Sequence, residues 1–526
     1  AQESRGLGDV YKRQTGGPAM DLWTVRGRAE RGVTSRFGIR PNHPCRAHVC
    51  RDMEITRRTV LGAGAALPLI AAPARAGAAT TSGPSPRDWA ELDSALRGSI
   101  ARPGSSSYSS RVPLFDPRWD FRRPAAVARV LSTRDVATCV TFARDHGLRV
   151  TGRSGGHSYV GASASSGSLV VDTRSLRNVV LRSGDTQTIV GAGAGLYSVH
   201  AALAQRGRSI PTGTCPTVGT AGLTLAGGLG VDSRRYGLTA DRLVGATVVD
   251  GRGRIHEVDA SHESDLYWAL RGGGSGVGLV TMLTYRTIPA ASMGFFSLSF
   301  PASSAATVLR RWPEWLATQP RDTWANAHVD VSGSSLSVRI FGVCPAGRQD
   351  ARAASLRQGI GITPTRTSTT SRSHLEAVKY LGGGSTTPRT RCAAGSDIIA
   401  RMTTGTADAI VSAVRSAGSR GLAAAAILDP LDGAVSSPST GATPFPWRSH
   451  TASVQWYVGL PSSATSSSYA AAHDWIGLAH ERLGGRSVGG YIGYLESGRT
   501  RRDYLADNAT RHTQVSAAYD PDGVIL

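Results

Sequence analysis

The residues best suited to chemistry lie in three glycine-dense stretches. The first is Gly152-Arg153-Ser154-Gly155-Gly156-His157-Ser158-Tyr159-Val160-Gly161, set between two short apolar runs. A Gly-Gly pair flanked by serine can turn a row of backbone N–H groups toward a diphosphate, because no Cβ blocks the approach. A tight hairpin is the plainer reading of the same residues. The second stretch is Gly213-Thr214-Cys215-Pro216-Thr217-Val218-Gly219-Thr220-Ala221-Gly222, continuing into Ala226-Gly227-Gly228-Leu229-Gly230. Cys215 has neither a CxxC partner nor a nearby histidine pair, so it is no zinc ligand, and a lone cysteine is ordinarily buried and inert. The third, Arg271-Gly272-Gly273-Gly274-Ser275-Gly276-Val277-Gly278, precedes the strand-like run Leu279-Leu283 and reads as another loop of close approach. No strand–turn–helix GxGxxG occurs, so the ordinary Rossmann fingerprint is absent.

The elements that must position these loops follow from hydrophobic period. Residues 136–146 have helical spacing at Val136, Val140, Phe142 and Ala143, whereas Leu148-Thr151 and Leu169-Asp172 are short apolar strands. Residues 77–115 are rich in Ser, Pro and Gly and predict a linker with an initial helix around Asp88-Leu96, the folded body starting near Pro117. A second body over roughly 295–460 has strand-like runs at Phe296-Phe300, Ser335-Phe341 and Ser453-Val458, with helices at Ser304-Ala317 and Ala407-Ala417. Alternating helix and strand of this kind is α+β or α/β material.

The 526 residues, 40% hydrophobic and 6% aromatic, have a globular composition, and 63 glycines without a G-X-Y period exclude collagen. The formal charge is +21, but residues 1–76 hold thirteen Lys/Arg against six Asp/Glu. The remaining positive charge is almost all arginine, scattered and not in runs, which argues against nucleic acid as a partner. Met53-Glu54-Ile55-Thr56-Arg57-Arg58-Thr59-Val60-Leu61, an uncharged run through Ala72 and Ala74-Arg75-Ala76 look like a twin-arginine export signal cut before Gly77. The expected address is secreted or cell-envelope, with membrane contact only during export. Residues 1–52 precede a plausible start methionine, show no hydrophobic period, and are expected to be non-native or disordered. Cys139, Cys215, Cys344 and Cys392 in the body make no disulfide framework.

Together the loops resemble the berberine bridge enzyme-like oxidases of the vanillyl-alcohol oxidase superfamily. RSGGHSY, GTCPTVG, AGGLG, RRYGLTAD at Arg234-Asp241 and DLYWALRGGG at Asp265-Gly274 occur in that family's order and spacing. The resemblance implies a PCMH-type FAD-binding domain of two α+β subdomains over 117–294. It also implies a substrate domain over 295–480, with an antiparallel sheet covered by helices, and a segment 481–526 returning to the FAD domain. It further implies bicovalent FAD, with His157 on the flavin 8α carbon and Cys215 on C6. The implied cofactor-contacting residues are Arg153, Ser154, Gly155, Gly156, Ser158, Gly161, Val218, Gly219, Gly222, Gly227, Gly230, Tyr491 and Asn508. In Gly490-Tyr491-Ile492-Gly493-Tyr494, the resemblance makes Tyr494 the base and Tyr159 a second active-site tyrosine over the flavin. A phenol with a reference pKa of about 10 needs nearby donors or cations for that task.

The implied reaction is hydride transfer from an alcohol carbon of a carbohydrate or oligosaccharide to flavin N5, with O2 reoxidising the flavin to give H2O2. Val218 in the Cys-Pro-Thr-Val order implies an oxygen pocket and so an oxidase. Trp324, Trp447, Trp456 and Tyr457 are further candidates for flat faces against a sugar ring, with core packing the alternative. The sequence departs from the family at Gly493 (usually Asn), Gly276-Val277 (Asn-Phe), Leu223 (His) and Trp447 (His). Two other readings are a flavin-dependent enzyme tailoring a secondary metabolite and a non-catalytic exported binding protein.

Overall fold

Ser132 sits in an extended conformation and accepts the Asp135 N–H, which starts the helix Thr133–Asp145. Its buried face, Val136, Cys139, Val140 and Ala143, follows helical spacing and packs with Ala126, Ala128, Leu169 and Val171. The chain is seen in a computed structural model that describes residues 83–386 and 389–526. The leader 1–52 and the export segment 53–76 lie outside the described residues.

The strands beneath that helix are β1 (Ser99–Ala101), β2 (Ala126–Arg129), β3 (Val150–Arg153) and β4 (Leu169–Asp172), in the order β1-β2-β4-β3. β2 and β3 run parallel to β4, and β1 is antiparallel to β2. Beyond the β3 edge lies the far end of the chain, with Val150 N–H donating to the Val524 carbonyl at 2.8 Å and Leu526 N–H to the Val150 carbonyl at 2.9 Å. The Asp520 carboxylate accepts the N–H groups of Val524 and Ile525 and so fixes this return.

The linker expected over 77–116 is corrected here for its described part. Helix Pro86–Ala95 buries Trp89 and Leu92 in the core of the first sheet, and β1 is one of its strands. Tyr108, Val112 and Leu114 pack with Trp119, Val127 and Val170. The Ser/Pro/Gly bias of this stretch hid apolar residues too sparse to show a period.

Five more strands form an antiparallel sheet, interrupted in the chain by a small ladder. The sheet comprises β5 (Val179–Arg182), β6 (Gln187–Gly191), β8 (Leu243–Val249), β9 (Ile255–Asp259) and β10 (Leu279–Arg286), and the ladder comprises β7 (Arg208–Ser209) and β11 (Ile288–Pro289). The order is β5-β6-β10-β8-β9, with β7 paired to β11.

The third sheet is antiparallel and seven-stranded: β12 (Met293–Phe300), β13 (Trp324–Ser332), β14 (Ser335–Pro345), β15 (Arg366–Arg372), β16 (Arg391–Ile399), β17 (Ala424–Pro430) and β18 (Ala452–Leu460), in the order β15-β12-β14-β13-β17-β18-β16. Strand alternation divides its residues cleanly. Ala325, Ala327, Val329 and Val331 of β13 join the core made with helices Ala305–Ala317, Gln349–Ile360, Thr404–Gly418 and Ser466–Leu483. Their neighbours Asn326, His328 and Asp330 face the other way. The α+β architecture with an antiparallel, helix-backed sheet agrees with the sequence expectation. Among the described residues no helix is long and apolar enough to cross a membrane.

Candidate functional site

The two glycine loops meet backbone to backbone. A Cβ on Gly155 would collide with Gly219 N and lie 2.7 Å from the Thr217 carbonyl oxygen, and a Cβ on Gly219 would collide with Ser154 and Gly155. This contact brings His157 to Thr217, with Nε2 and Oγ1 2.9 Å apart, two residues from Cys215. Phe115 stacks on the His157 ring with centroids 3.8 Å apart, and its N–H donates to the Gly156 carbonyl. Burial drives the His157 pKa down to about 3, a hydrogen bond to the Thr217 backbone offsetting only part, so the imidazole is neutral. Burial likewise pushes the Cys215 thiol up to about 12.

Two residues beyond His157, Tyr159 reaches the third sheet, where Gln455 Nε2 donates to its hydroxyl at 2.7 Å. Its ring stacks on Tyr494, centroids 5.8 Å apart and planes at 29°. Tyr491 meets Tyr494 edge-on at 5.0 Å. Tyr491 is buried, its hydroxyl accepts the Gly228 N–H at 3.0 Å, and burial pushes its pKa up to about 12 despite the Gly228 and Leu229 N–H groups. Tyr494 is only half-buried.

The sheet face opposite is polar in rows set by the register. Ser396, Gln455, Ile427, His328 and Arg339 lie in one cross-strand row, and Asp429 stands beside Ser453 in the next. Asn326 Nδ2 donates to Asp429 at 3.3 Å, yet burial raises that carboxyl to about 6. Burial also raises Asp330 to about 6, the Arg339 charge offsetting part of it. Cys392, Ala394, Ala425, Ile427 and Tyr457 pack with Tyr159.

The remaining predicted residues divide by what they touch. Gly156 and Gly161 have φ of +71° and +66°, and Gly161 lies under the Trp119 ring. Gly227 has φ +104° and lies beside Leu238, Phe445 and Tyr491, while Gly230 presses on the Thr212 carbonyl. Gly222 is exposed in the helix Thr220–Leu225 with open space where a Cβ would be. The Val218 carbonyl accepts the Leu196 N–H at 3.0 Å. Ser158 Oγ accepts the Ala162 N–H at 3.3 Å.

For three others the structure shows other commitments. Arg153 is buried in an ion pair with Asp172 at 2.8 Å and donates to the Val112 carbonyl; Ser154 Oγ donates to the Ala192 carbonyl at 2.6 Å. Asn508 Nδ2 donates to the carbonyls of Thr440, Thr443 and Pro444. These side chains shape the loops, because buried or constrained polar groups take the nearest backbone partner.

Of the aromatic candidates, Trp456 is in the helix-side core with Nε1 on Asp397, and Trp447 is buried with Nε1 on the Gly490 carbonyl at 2.9 Å. Trp324 is buried with Phe295, Phe341 and Val343. Only Tyr457 packs on the cleft side with Tyr159. Two departures from the family thereby gain a reason: Trp447 tethers the tyrosine segment, and Gly493 leaves room for the Tyr491 ring.

Sequence reasoning missed Gln455, Asp429, Thr217 and Phe115. The alternation Ser453-Val454-Gln455-Trp456-Tyr457 carried the signal for Gln455, since a polar residue every second position marks one face of a strand. Nothing near Phe115 pointed to His157.

The neutral imidazole, the neighbouring thiol and the open, Cβ-free helix surface at Gly222 fit a flavin held by two loops. Residues 124–259 match the family described as FAD binding domain. The chain is 33% identical over 186 residues to (R)-6-hydroxynicotine oxidase of Paenarthrobacter nicotinovorans, covering 35% of this chain and 40% of that protein. It is 37% identical over 178 residues to glucooligosaccharide oxidase of Sarocladium strictum, covering 34% and 36%. The chain therefore spans less than half the length of these curated relatives in the matched stretches. A solved structure concerned with the functional roles of the 6-S-cysteinyl, 8α-N1-histidyl FAD in glucooligosaccharide oxidase from Acremonium strictum superposes with TM-score 0.73 at 23% identity, covering 82% of this chain and 97% of that one. Residues 124–259 are thus an FAD binding domain by their sequence match, and the described chain shares the fold of the glucooligosaccharide oxidase structure.

Proposed function

We propose that this chain is an FAD-dependent oxidase that takes a hydride from the C–H bond of an alcohol carbon in a carbohydrate or oligosaccharide and passes the electrons to O2, giving H2O2. The single observation carrying the reading is that Tyr159, two residues beyond His157, meets Gln455 of the polar sheet face and stacks on Tyr494, while Thr217, two residues beyond Cys215, meets His157. The flavin, when bound, supplies a two-electron acceptor that alcohol oxidation needs. His157 and Cys215 would hold it bicovalently. Thr217 engages Nε2, which leaves Nδ1 as the attaching nitrogen, as in the histidyl linkage named for the glucooligosaccharide oxidase.

Tyr494 takes the proton from the substrate hydroxyl. Its neighbour Tyr491 is too basic and too buried for that role and serves as a wall. Tyr159, fixed by Gln455, orients the substrate over the same space. The Ser396, Gln455 and Ser453 rows offer the donors and acceptors a ring of hydroxyls requires. Val218 favours oxygen as the acceptor. The segment 53–76 supports export by the twin-arginine route.

The test is acid precipitation with mass spectrometry of the pellet, then peroxide release across neutral oligosaccharides. Yellow pellet with flavin on both the His157 and Cys215 peptides, and peroxide from at least one sugar, is expected. Tyr494→Phe should keep both adducts while turnover falls about 10²- to 10⁴-fold, the usual contribution of a positioned base. Unchanged turnover in that variant, or a colourless folded protein, overturns the reading.

A further inference from the structure

On the helix side of the third sheet lies a cluster of ionisable side chains that the proposed chemistry does not use. His480, from helix Ser466–Leu483, directs Nδ1 to Asp397 Oδ2 at 2.7 Å and Nε2 to Glu496 Oε2 at 2.8 Å. A carboxylate can only accept, so two such partners require both ring nitrogens to donate, which is the imidazolium. Arg499 completes the group, its Nη2 3.3 Å from Asp397 and its Nε 3.4 Å from Glu496. The Arg499 guanidinium also lies 3.1 Å from His480 Nδ1, a like-charge approach balanced by the two flanking carboxylates.

Both carboxylates are tied to the tyrosine turn or to the strand beneath it. Glu496 stands two residues after Tyr494, and its Oε1 accepts the Ser396 N–H of β16 at 2.9 Å. Its own N–H donates to the Tyr504 hydroxyl at 2.8 Å. The carboxylate fills the space where Gly395 would carry a Cβ, so only glycine admits it there. Asp397, on β16, accepts from Trp456 Nε1 at 2.7 Å and Ser487 Oγ at 2.6 Å. At the other end of the turn, Tyr491 N–H donates to Ser396 Oγ at 2.9 Å.

We propose that His480 is a positioning residue: as an imidazolium clamped between Asp397 and Glu496, it fixes the 491–496 turn against β16 and so sets where Tyr494 meets the cleft. The assignment of Tyr494 as base rests on the oxidase reading, whereas the clamp does not.

The clamp is pH-dependent. Burial alone would lower the His480 pKa, but the hydrogen bonds to Asp397 and Glu496, reinforced by their charges, push it up to about 9. Burial alone would raise Asp397, yet the His480 bond and charge, with Ser487 and Trp456, hold it below the usual carboxylate range. Arg499 faces the same two acids, and His473 of the same helix feels Glu496 and Arg118. A histidine whose folded pKa is raised contributes fully below its unfolded value of about 6.5 and loses that contribution as pH rises through the folded value. The clamp therefore holds at neutral pH and releases as pH climbs through about 9.

The experiment is hydrogen–deuterium exchange on the flavin-loaded full chain from pH 6 to 10, corrected for intrinsic exchange and read on peptides spanning 488–498. The wild type should be protected at pH 7 and exchange at least about tenfold faster by pH 10. His480→Gln, which keeps one hydrogen bond but no charge, should exchange fast already at pH 7, with flavin content unchanged and kcat reduced more than KM is altered. Equal protection of variant and wild type at pH 7, or a flat wild-type profile, overturns the proposal. Should the variant not fold, the wild-type profile decides alone. Exchange needs no substrate, so a protein that shows the clamp but releases no peroxide refutes the oxidase reading and leaves the clamp standing.

Discussion

At His157 one hydroxyl decides which ring nitrogen is available. Thr217 engages Nε2 in a part-buried setting, where a hydrogen bond contributes about 1 kcal/mol net, and so occupies one ring nitrogen and not the other. Thr217→Val keeps the shape and removes that partner. The expected outcome is flavin still attached at Cys215, with the His157 adduct falling about five- to tenfold in peptide mass spectrometry. His157 and Cys215 were legible from residue type and loop context. Thr217 was not, because its role depends on two sequence-distant loops touching. Arg153 and Ser154 were misleading for a related reason: a polar side chain beside a glycine pair looks aimed at a ligand, but Asp172 and the Ala192 carbonyl take them first.

The same loops show that two glycines can be required for opposite reasons. Gly155 has no Cβ because Gly219 occupies the space, so Gly155→Ala should force the loops apart. Overpacking of this kind costs about 1–3 kcal/mol, and both the thermal midpoint and flavin retention should fall. Gly222 faces open space on a short helix, so Gly222→Leu should leave the midpoint of flavin-free protein unchanged or slightly raised, since leucine is the better helix former. If that open space receives the flavin, as the proposed function has it, its flavin content after gel filtration should nevertheless drop at least about tenfold, because a leucine would fill it. A sequence shows only that glycine is present. The alternating strands of the third sheet were easier: period two separates Val329 from His328 and Val454 from Gln455 without any coordinates.

Across the whole molecule, the RRYGLTAD motif is a joint. Arg234 is almost fully buried, and its guanidinium bonds Asp432 at 2.7 Å, the carbonyls of Leu316 at 3.0 Å and Pro320 at 3.1 Å, and that of Thr323. The sequence marked the motif as conspicuous but gave no partner, since all four lie in the second half of the chain. Arg234→Met should cost roughly 1–3 kcal/mol, since Asp432 is partly exposed and water takes up its charge while the buried carbonyls lose their donor. Calorimetry should then resolve two transitions where the wild type shows one. The closure of the first sheet by residues 524–526 bears on the order of events in the cell. Its neighbour β3 leaves the ribosome long before those residues exist, and contacts so distant along the chain close late and slowly. Until then β3 presents an unpaired edge, a template on which nascent copies can associate. The loop beginning at Ser154 follows directly from that strand, so His157 is carried by a sheet whose edge is covered only by residues synthesised far later.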